Sequence, residues 1–261
     1  MMVVNALTVE PAKNVTGFTP RSDAPRFPDA HPDQWQRILS TSLQKQFSGW
    51  TPAALLALQE SARIQRHFDG TLVYAEGDTA EHLLLVISGA LELSIGNAEG
   101  KRVVMNYVSP TEMSNFIPVL DGSRIVHEYR THGKTVLAYI PKAAFLQQLQ
   151  ATPSLMADVV RLLCDRNRQL QDYLGYQVLG SFRSKLAARL LHLVKQYGRP
   201  APHGIDIDLK LSQENLASLL VTSRQSVNRE LRWLVENHIV AIEYNKVTVF
   251  NLPALQRLSA V

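Results

Sequence analysis

The chain has 261 residues, enough for two domains, and its 27 Lys and Arg against 23 Asp and Glu leave a formal charge of +4. That balance suits a polyanionic partner such as nucleic acid without requiring one. Cys164 is the only cysteine, which excludes a disulfide framework and an iron–sulfur cluster held by four cysteines of one chain, and fits a reducing compartment.

The first stretch, MMVVNALTVEPAK, has no basic start and meets Glu10 early, so it is not expected to act as a signal peptide. No apolar run is long enough to cross a bilayer, and a cytoplasmic protein with no membrane partner is expected. Residues 1–32 are poor in large apolar side chains, carry Pro11, Pro20, Pro25, Pro28 and Pro32, and read as a flexible leader. Helical spacing begins at Pro32 with Trp35, Ile38 and Leu43. It continues with Leu55, Leu56 and Leu58 after the Thr51-Pro52 helix start.

From Ala62 to Pro141 the period shortens. The segments ARIQRHF, TLVYAEGD, HLLLVISGALELSI and RVVMNYVS, and a pair around EYRTHGKTVLAYI, are cut by glycines, a spacing that predicts a compact β-barrel or jelly roll. A long helix is predicted from Pro153 to about Leu179. Its residues Met156, Val159, Leu163, Leu170 and Leu174 recur about every 3.5 positions, the spacing of a coiled-coil seam with a second copy. Asn167 falls in that stripe, either as a buried pair that sets register or as a surface residue at a stutter. Phe182–Tyr197 is a further amphipathic helix, ended by Gly198-Arg-Pro-Ala-Pro202.

Leu211–Leu234 reads as two short helices around a tight break. Ser212 is a good N-cap with Glu214 in the first turn, and Leu216, Leu219 and Leu220 face the second helix. Val221–Ser223 form the break, with Thr222 or Ser223 capping the second helix. In that helix Val227, Leu231 and Leu234 stand at i, i+4 and i+7 and mark a buried stripe. The opposite face gathers Gln225, Asn228, Arg229 and Arg232, with Arg224 at its start. Arg forks match guanine O6 and N7, and Gln or Asn amides match adenine N6 and N7. Ser226 and Asn228 are short enough to meet phosphates or base edges, and Ser223 is counted with them among the expected DNA contacts. Then NHIVAIEYNKVTVF places β-branched residues on either side of Tyr244-Asn245, a hairpin whose Lys246 suits a phosphate contact. Two helices succeeded at once by a β-hairpin make a winged helix-turn-helix.

The order β-roll, long helix, winged helix resembles the cyclic-AMP receptor protein and fumarate–nitrate regulator (Crp–Fnr) superfamily of bacterial transcription factors. Three pieces carry the likeness: FDGTLVYAEGD, the buried strand LLLVISGALEL with its central Gly-Ala turn, and SRQSVNRELRWL. It spans roughly residues 45 to 255. The resemblance implies an α+β chain divided into a leader (1–32), a β-roll effector-type domain (33–151), a dimerisation helix (152–180) and a winged helix-turn-helix domain (181–261). It also implies a homodimer on an inverted DNA repeat, with RNA polymerase as a partner and Arg224 and Arg229 on guanines. Where the family often has a Glu that accepts from cytosine, this chain has Gln225, which shifts the expected base toward adenine.

The family's nucleotide binders hold the ribose with a Gly-Glu pair and the cyclic phosphate with an Arg-Ser pair. In SPTEMSNFIPVLDGSRIVHEY, Ser114-Asn115 stands at the first pair and Ile125-Val126 at the second, with Arg124 one residue early. Leu170 and Gln171 occupy the helix positions that offer hydroxyls to the base. Each change removes a partner that a buried phosphate needs, so cyclic AMP is not the expected effector. His127 and Tyr129 share strand parity with Ile125 and are expected to face the same cavity. Haem held through Cys164 and His127 is an alternative that no attachment motif or paired ligand spacing supports. No cofactor or metal is firmly implied, and no nucleophile–base set, P-loop or dinucleotide fingerprint marks a catalytic residue. Two competing readings are a nucleotide-binding-like module acting without DNA and a cupin-like enzyme. The Arg224–Arg232 face argues against the first, and the lack of a metal-ligand set argues against the second.

Overall fold

The computed structural model of the chain describes residues 32–97, 99, 102–243 and 245–259, so the expected leader lies outside the described residues apart from Pro32, which opens the first helix. Residues 32–178 and 218–222 form one compact unit, and the second is built from residues 179–217 and 223–259.

In the first unit, α1 (Pro32–Gln46) and α2 (Pro52–Ser61) precede the strands, and Thr51 caps α2 by accepting from the Ala54 N–H. The strands are β1 (Arg63–His67), β2 (Leu72–Tyr74), β3 (His82–Gly96), β4 (Arg102–Val108), β5 (Met113–Ser114) and β6 (Glu128–Pro141). They form one antiparallel sheet in the order β1-β6-β3-β4, with β2 also on β6 and β5 on β3. The two long strands, β3 and β6, run side by side from His82↔Pro141 to Ser94↔Glu128.

The chain bends at two glycines inside those strands. The expected Gly-Ala turn is not a turn: β3 runs on through Gly89, which has φ +78° and lies in the register shift between Ser88 and Ala90. Similarly, EYRTHGKTVLAYI is not a pair of strands. It is the single strand β6, bent at Gly133 with φ +70°. Periodicity alone does not separate a bulge from a turn, because a glycine interrupts the pattern in both.

Helices α3 (Phe116–Asp121) and α4 (Lys142–Ala151), which the strand pattern did not announce, pack against the sheet with α1. Phe47, Trp50, Phe116 and Phe145 meet there, with the Phe47 and Trp50 rings stacked at 4.5 Å and Trp50 on Phe145 at 5.6 Å. A 3-10 turn, Pro153–Leu155, leads into α5 (Met156–Leu179), whose first turns are tied down on two sides. The Asp158 carboxylate accepts from the Gly49 N–H at 2.7 Å, and the Trp50 indole donates to the Leu155 carbonyl at 3.2 Å.

Val159 does not lie on the exposed stripe expected of it. Val159 is wholly buried in the core of its own domain, and Leu163 is partly buried against it, so Val159 is not on a free face. Val160, 50% exposed, takes its place beside Met156, Leu170 and Leu174. The physical reason is that α5 has two apolar faces about a quarter turn apart at this level, and the tighter of them packs on the sheet.

The second unit opens with α6 (Phe182–Tyr197), capped by Ser181 and burying Leu186, Leu190, Leu193, Val194 and Tyr197. The stretch expected only to terminate that helix, Gly198–Pro202, is half of a hairpin: β7 (Gly198–Ala201) pairs with β8 (Gly204–Ile207). Pro200 is tolerated because β7 is an edge strand. After α7 (Gln213–Leu219) and α8 (Arg224–Glu236) come β9 (Val240–Glu243) and β10 (Lys246–Val249), which complete a four-stranded sheet, β7-β8-β10-β9. A last helix, α9 (Leu252–Ser259), packs on α6.

A Cβ at Gly89 would lie 2.6 Å from the Lys134 carbonyl oxygen and 2.6 Å from Thr135 Oγ1, at a φ that disfavours any side chain. Gly89→Ala is therefore expected to lower unfolding free energy by at least about 1–3 kcal/mol, read as an earlier midpoint in urea denaturation.

Candidate nucleic-acid interface

Helix α8 forms where its caps allow. Ser223 holds an extended backbone and its hydroxyl accepts from the Ser226 N–H at 3.1 Å, so Ser223, not Thr222, is the cap. Val221 takes φ +50° in the break before it, a conformation that a β-branched residue adopts only under constraint. Ser212 caps α7 in the same way, accepting from the Asn215 N–H at 3.1 Å. The predicted stripe is buried, with Val227, Leu231 and Leu234 at 0–1% exposure. On the other side Gln225, Arg229 and Arg232 are exposed, with Arg224 exposed at the start of the helix, and Ser226 and Asn228 are half-buried. Asn228 Oδ1 lies 3.4 Å from the Gln213 amide on α7, which biases its own amide outward.

Between these side chains lies a shallow depression lined by Arg183, Gln225, Asn228, Arg229, Glu230, Arg232, Trp233 and Glu236. Arg183, Glu230 and Trp233 were not singled out from the sequence. Glu230 is a buried acid among the cations. Its carboxylate takes Arg183 Nε at 2.8 Å on one oxygen and Arg229 Nε at 3.1 Å on the other. Arg183, from α6, stacks over the Trp233 ring at 3.7 Å. Burial pushes the Glu230 carboxyl up, but the hydrogen bonds and charges of Arg183 and Arg229 outweigh it and hold the group below the ordinary range. The only signal of this in the sequence is an acid at a helix position next to the stripe.

Lys246 begins β10 as expected, and its ammonium lies 2.6 Å from the Asp206 carboxylate, which also accepts from Thr248. It is therefore not a free cation. Any phosphate would compete with Asp206 for it.

In the first unit the expected effector residues are only partly brought together. Ser114 and Asn115 are buried, and Ser114 Oγ meets the Tyr129 hydroxyl at 3.3 Å. Asn115 adopts φ +73° as the residue before α3 and donates to the His82 carbonyl. Its Oδ1 is buried with no hydrogen-bond partner among the described residues. Ile125 is buried but precedes β6, and His127 sits in a bend, so the strand-parity argument for them does not hold. The charged neighbour of His127 is Glu76, and burial pushes its pKa down. Leu170 and Gln171 are exposed on α5, as are Cys164 and Asn167, so none of them joins Ser114 and Asn115 within the chain. The α5 residue that does arrive was missed: Arg166 donates to the Met113 carbonyl and lies over the Phe116 ring at 5.0 Å. Burial pushes its guanidinium pKa down. Among the described residues no group of three or more His, Cys, Asp or Glu side chains could hold a metal ion, and no helix is long and apolar enough to cross a membrane.

Because the folded-state pKa of Glu230 lies below its unfolded value, its contribution to stability is complete above the unfolded value and is lost as pH falls through the folded one. Glu230→Gln should therefore be destabilising at neutral pH, with the gap to the wild type closing on acidification. Chemical denaturation at both pH values checks this.

Comparison with known proteins agrees with this layout. Residues 65–152 match the cyclic nucleotide-binding domain and residues 184–258 match the Crp-like helix-turn-helix domain. The chain is 29% identical over 197 residues to the global nitrogen regulator of Synechococcus elongatus, covering 75% of this chain and 89% of that protein. It is 22% identical over 211 residues to the CRP-like cAMP-activated global transcriptional regulator of Mycobacterium tuberculosis, covering 81% of this chain and 94% of that one. The solved structure of FixK2 from Bradyrhizobium japonicum shares the fold, with a TM-score of 0.68 at 15% identity over 77% of this chain and 98% of that one. A sheet domain of the nucleotide-binding type, a long helix, and a helix-turn-helix backed by a small sheet thus identify a DNA-binding, non-enzymatic transcription regulator, and the chain belongs to the Crp–Fnr family.

Proposed function

We propose that this protein works in the cytoplasm as a homodimer that recognises an inverted DNA repeat, through Arg224, Gln225, Asn228, Arg229 and Arg232, and acts on RNA polymerase. The observation that carries the reading is α8 itself: a helix with its apolar face sealed and an exposed face of cations and amides, the chemistry that reads base edges in a major groove. Ser223 and Ser226 serve at its N-terminal end and Lys246 on the wing, the latter in exchange for Asp206. Base preferences follow from side-chain geometry, Arg for guanine and the Gln225 amide for adenine. The domain divisions that we propose are the leader over 1–32, the roll over 33–151, the dimer helix over 152–180 and the DNA-binding domain over 181–261.

The roll acts as a sensor or scaffold that does not take cyclic AMP. Asn115, with its left-handed backbone, is a better match than Ser114 for the family's glycine. That alignment places Phe116, buried in the core, where the ribose-binding Glu is expected. Either alignment leaves the ribose without a carboxylate, and Ile125 leaves the phosphate without a guanidinium. Arg166 is a cation near the roll's interior, on the Met113 carbonyl and over the Phe116 ring, and it is the group there that an anionic effector would engage.

The dimer seam runs along Met156, Val160, Asn167, Leu170 and Leu174, with Leu163 partly committed to its own domain. Val178 and Leu179, 78% and 73% exposed, continue the same apolar character at the end of α5.

Selection of bound sites from random DNA tests the reading of α8. Arg229→Ala should cost about 1–3 kcal/mol of binding and relax one symmetric pair of positions. Gln225→Glu should move the preference at its base toward cytosine, and an unchanged site would show that Gln225 does not read a base. Leu170→Glu with Leu174→Glu should give monomers by sedimentation and abolish tight binding to the repeat. Calorimetric titration with cyclic AMP at submillimolar concentration should show no saturating heat.

A further inference from the structure

The depression beside α8 holds an arrangement that a phosphate-binding or base-reading face does not itself require. A carboxylate among cations opposes binding to a polyanion, and placing it out of water is costly unless it is fully paired. Glu230 is paired on both oxygens, and the two partners differ in kind. Arg183 is held twice, by its Nε on Glu230 and by its face on Trp233, and its side chain is 36% exposed. Arg229 is 72% exposed and touches Glu230 only through Nε. An Arg that donates Nε inward has its outer edge, the two terminal NH2 groups, left to meet a partner end-on. A free Arg at the same helix position would sample many rotamers in solvent and lose that freedom on binding.

We propose that Glu230 is a positioning residue for base recognition. It fixes Arg229 through Nε so that the two terminal amines present a preset fork to guanine O6 and N7, while Arg183, locked on Trp233, fixes Glu230. The chain of contacts runs Trp233, Arg183, Glu230, Arg229, and only the last of these touches a base. This rests on the reading of Arg229 as a base contact. It adds that the specificity of that contact is set by a charge which lowers overall attraction to DNA. Glu230 therefore trades non-specific affinity for discrimination, and removing it should move the two in opposite directions.

The test compares full-length wild type with Glu230→Gln, Glu230→Ala, Arg183→Lys, Arg229→Ala and the Glu230→Ala/Arg229→Ala double variant. Each is titrated on the selected repeat, on the repeat with the Arg229 base pair changed, and on unrelated duplex. The expected result is that Glu230→Ala and Glu230→Gln reduce discrimination at that pair by about tenfold, within the range one two-pronged contact supplies. Binding to unrelated duplex should hold or strengthen, because a negative charge has left the face. Arg183→Lys, which keeps the charge but loses the stacked plane, should fall between. In the Arg229→Ala background, Glu230→Ala should cause no further loss of discrimination. Equal weakening on all three duplexes would mean that Glu230 only supports the fold, and the proposal would fall. Unchanged discrimination in the Glu230 variants, with discrimination lost in Arg229→Ala, would overturn the positioning role and leave Arg229 as a reader. Unchanged discrimination in Arg229→Ala would instead overturn the reading of Arg229, and the positioning role with it.

Discussion

The burial of Val227, Leu231 and Leu234 is the constraint on which the DNA-binding unit depends. Each such side chain contributes roughly 1.5–3 kcal/mol when fully removed from water, and together they fix the rotation of α8 about its own axis. With that rotation set, the residues a half-turn away have no choice of environment. Gln225, Arg229 and Arg232 face water and anything that approaches from it, and Arg224 is exposed because it opens the helix. A recognition helix is thus specified by what it hides. Strand β9 and α6 pack against it and supply part of the surface against which it is hidden.

The same unit shows how a polar surface is kept in order. Every side chain around the depression except Trp233 is charged or carries an amide, and such groups left to themselves would be mobile. The cap hydroxyl of Ser223, the Gln213 amide on Asn228 and the Glu230 carboxylate between two guanidiniums each reduce that freedom. Asp206 does the same for Lys246 on the wing. An exposed pair such as Lys246 with Asp206 adds little stability on its own, so its effect lies in geometry.

Helix α5 is apolar on two sides, one packed on the roll and one exposed. Its first turns are bound to the roll through Asp158, Val159 and the Leu155 carbonyl, and Arg166 reaches the Met113 carbonyl farther along. From Leu170 onward the apolar side chains face solvent. The exposed apolar residues Met156, Val160, Leu170 and Leu174 stay on one side of the helix along its length, about a quarter turn from the side that Val159 buries. The roll's interior meets α5 at Arg166. There the buried Asn115 oxygen, without a partner among the described residues, is next in sequence to Phe116, over which Arg166 stacks.

Much of this protein can be read from its sequence. Period-3.6 stripes and cap residues identified α8, α7, α6 and α5, and the spaced β segments identified the roll. Local pattern suffices there because side-chain direction follows backbone period. Three things required the tertiary structure. Gly89 and Gly133 bend strands and do not end them, because a positive φ breaks the pattern in the same way whether or not the ladder continues. Val159 and not Val160 is buried, because two adjacent apolar residues on one helix fit the same periodicity, and only the position of the sheet chooses between them. The pairing of Glu230 with Arg183, 47 positions earlier, and the stacking of Arg183 on Trp233 join residues that no local spacing relates. Sequence by itself determined which face of each helix is apolar; the fold decided which distant charges meet across it, because a charge pair is selected by spatial proximity and burial, which are properties of the packed chain.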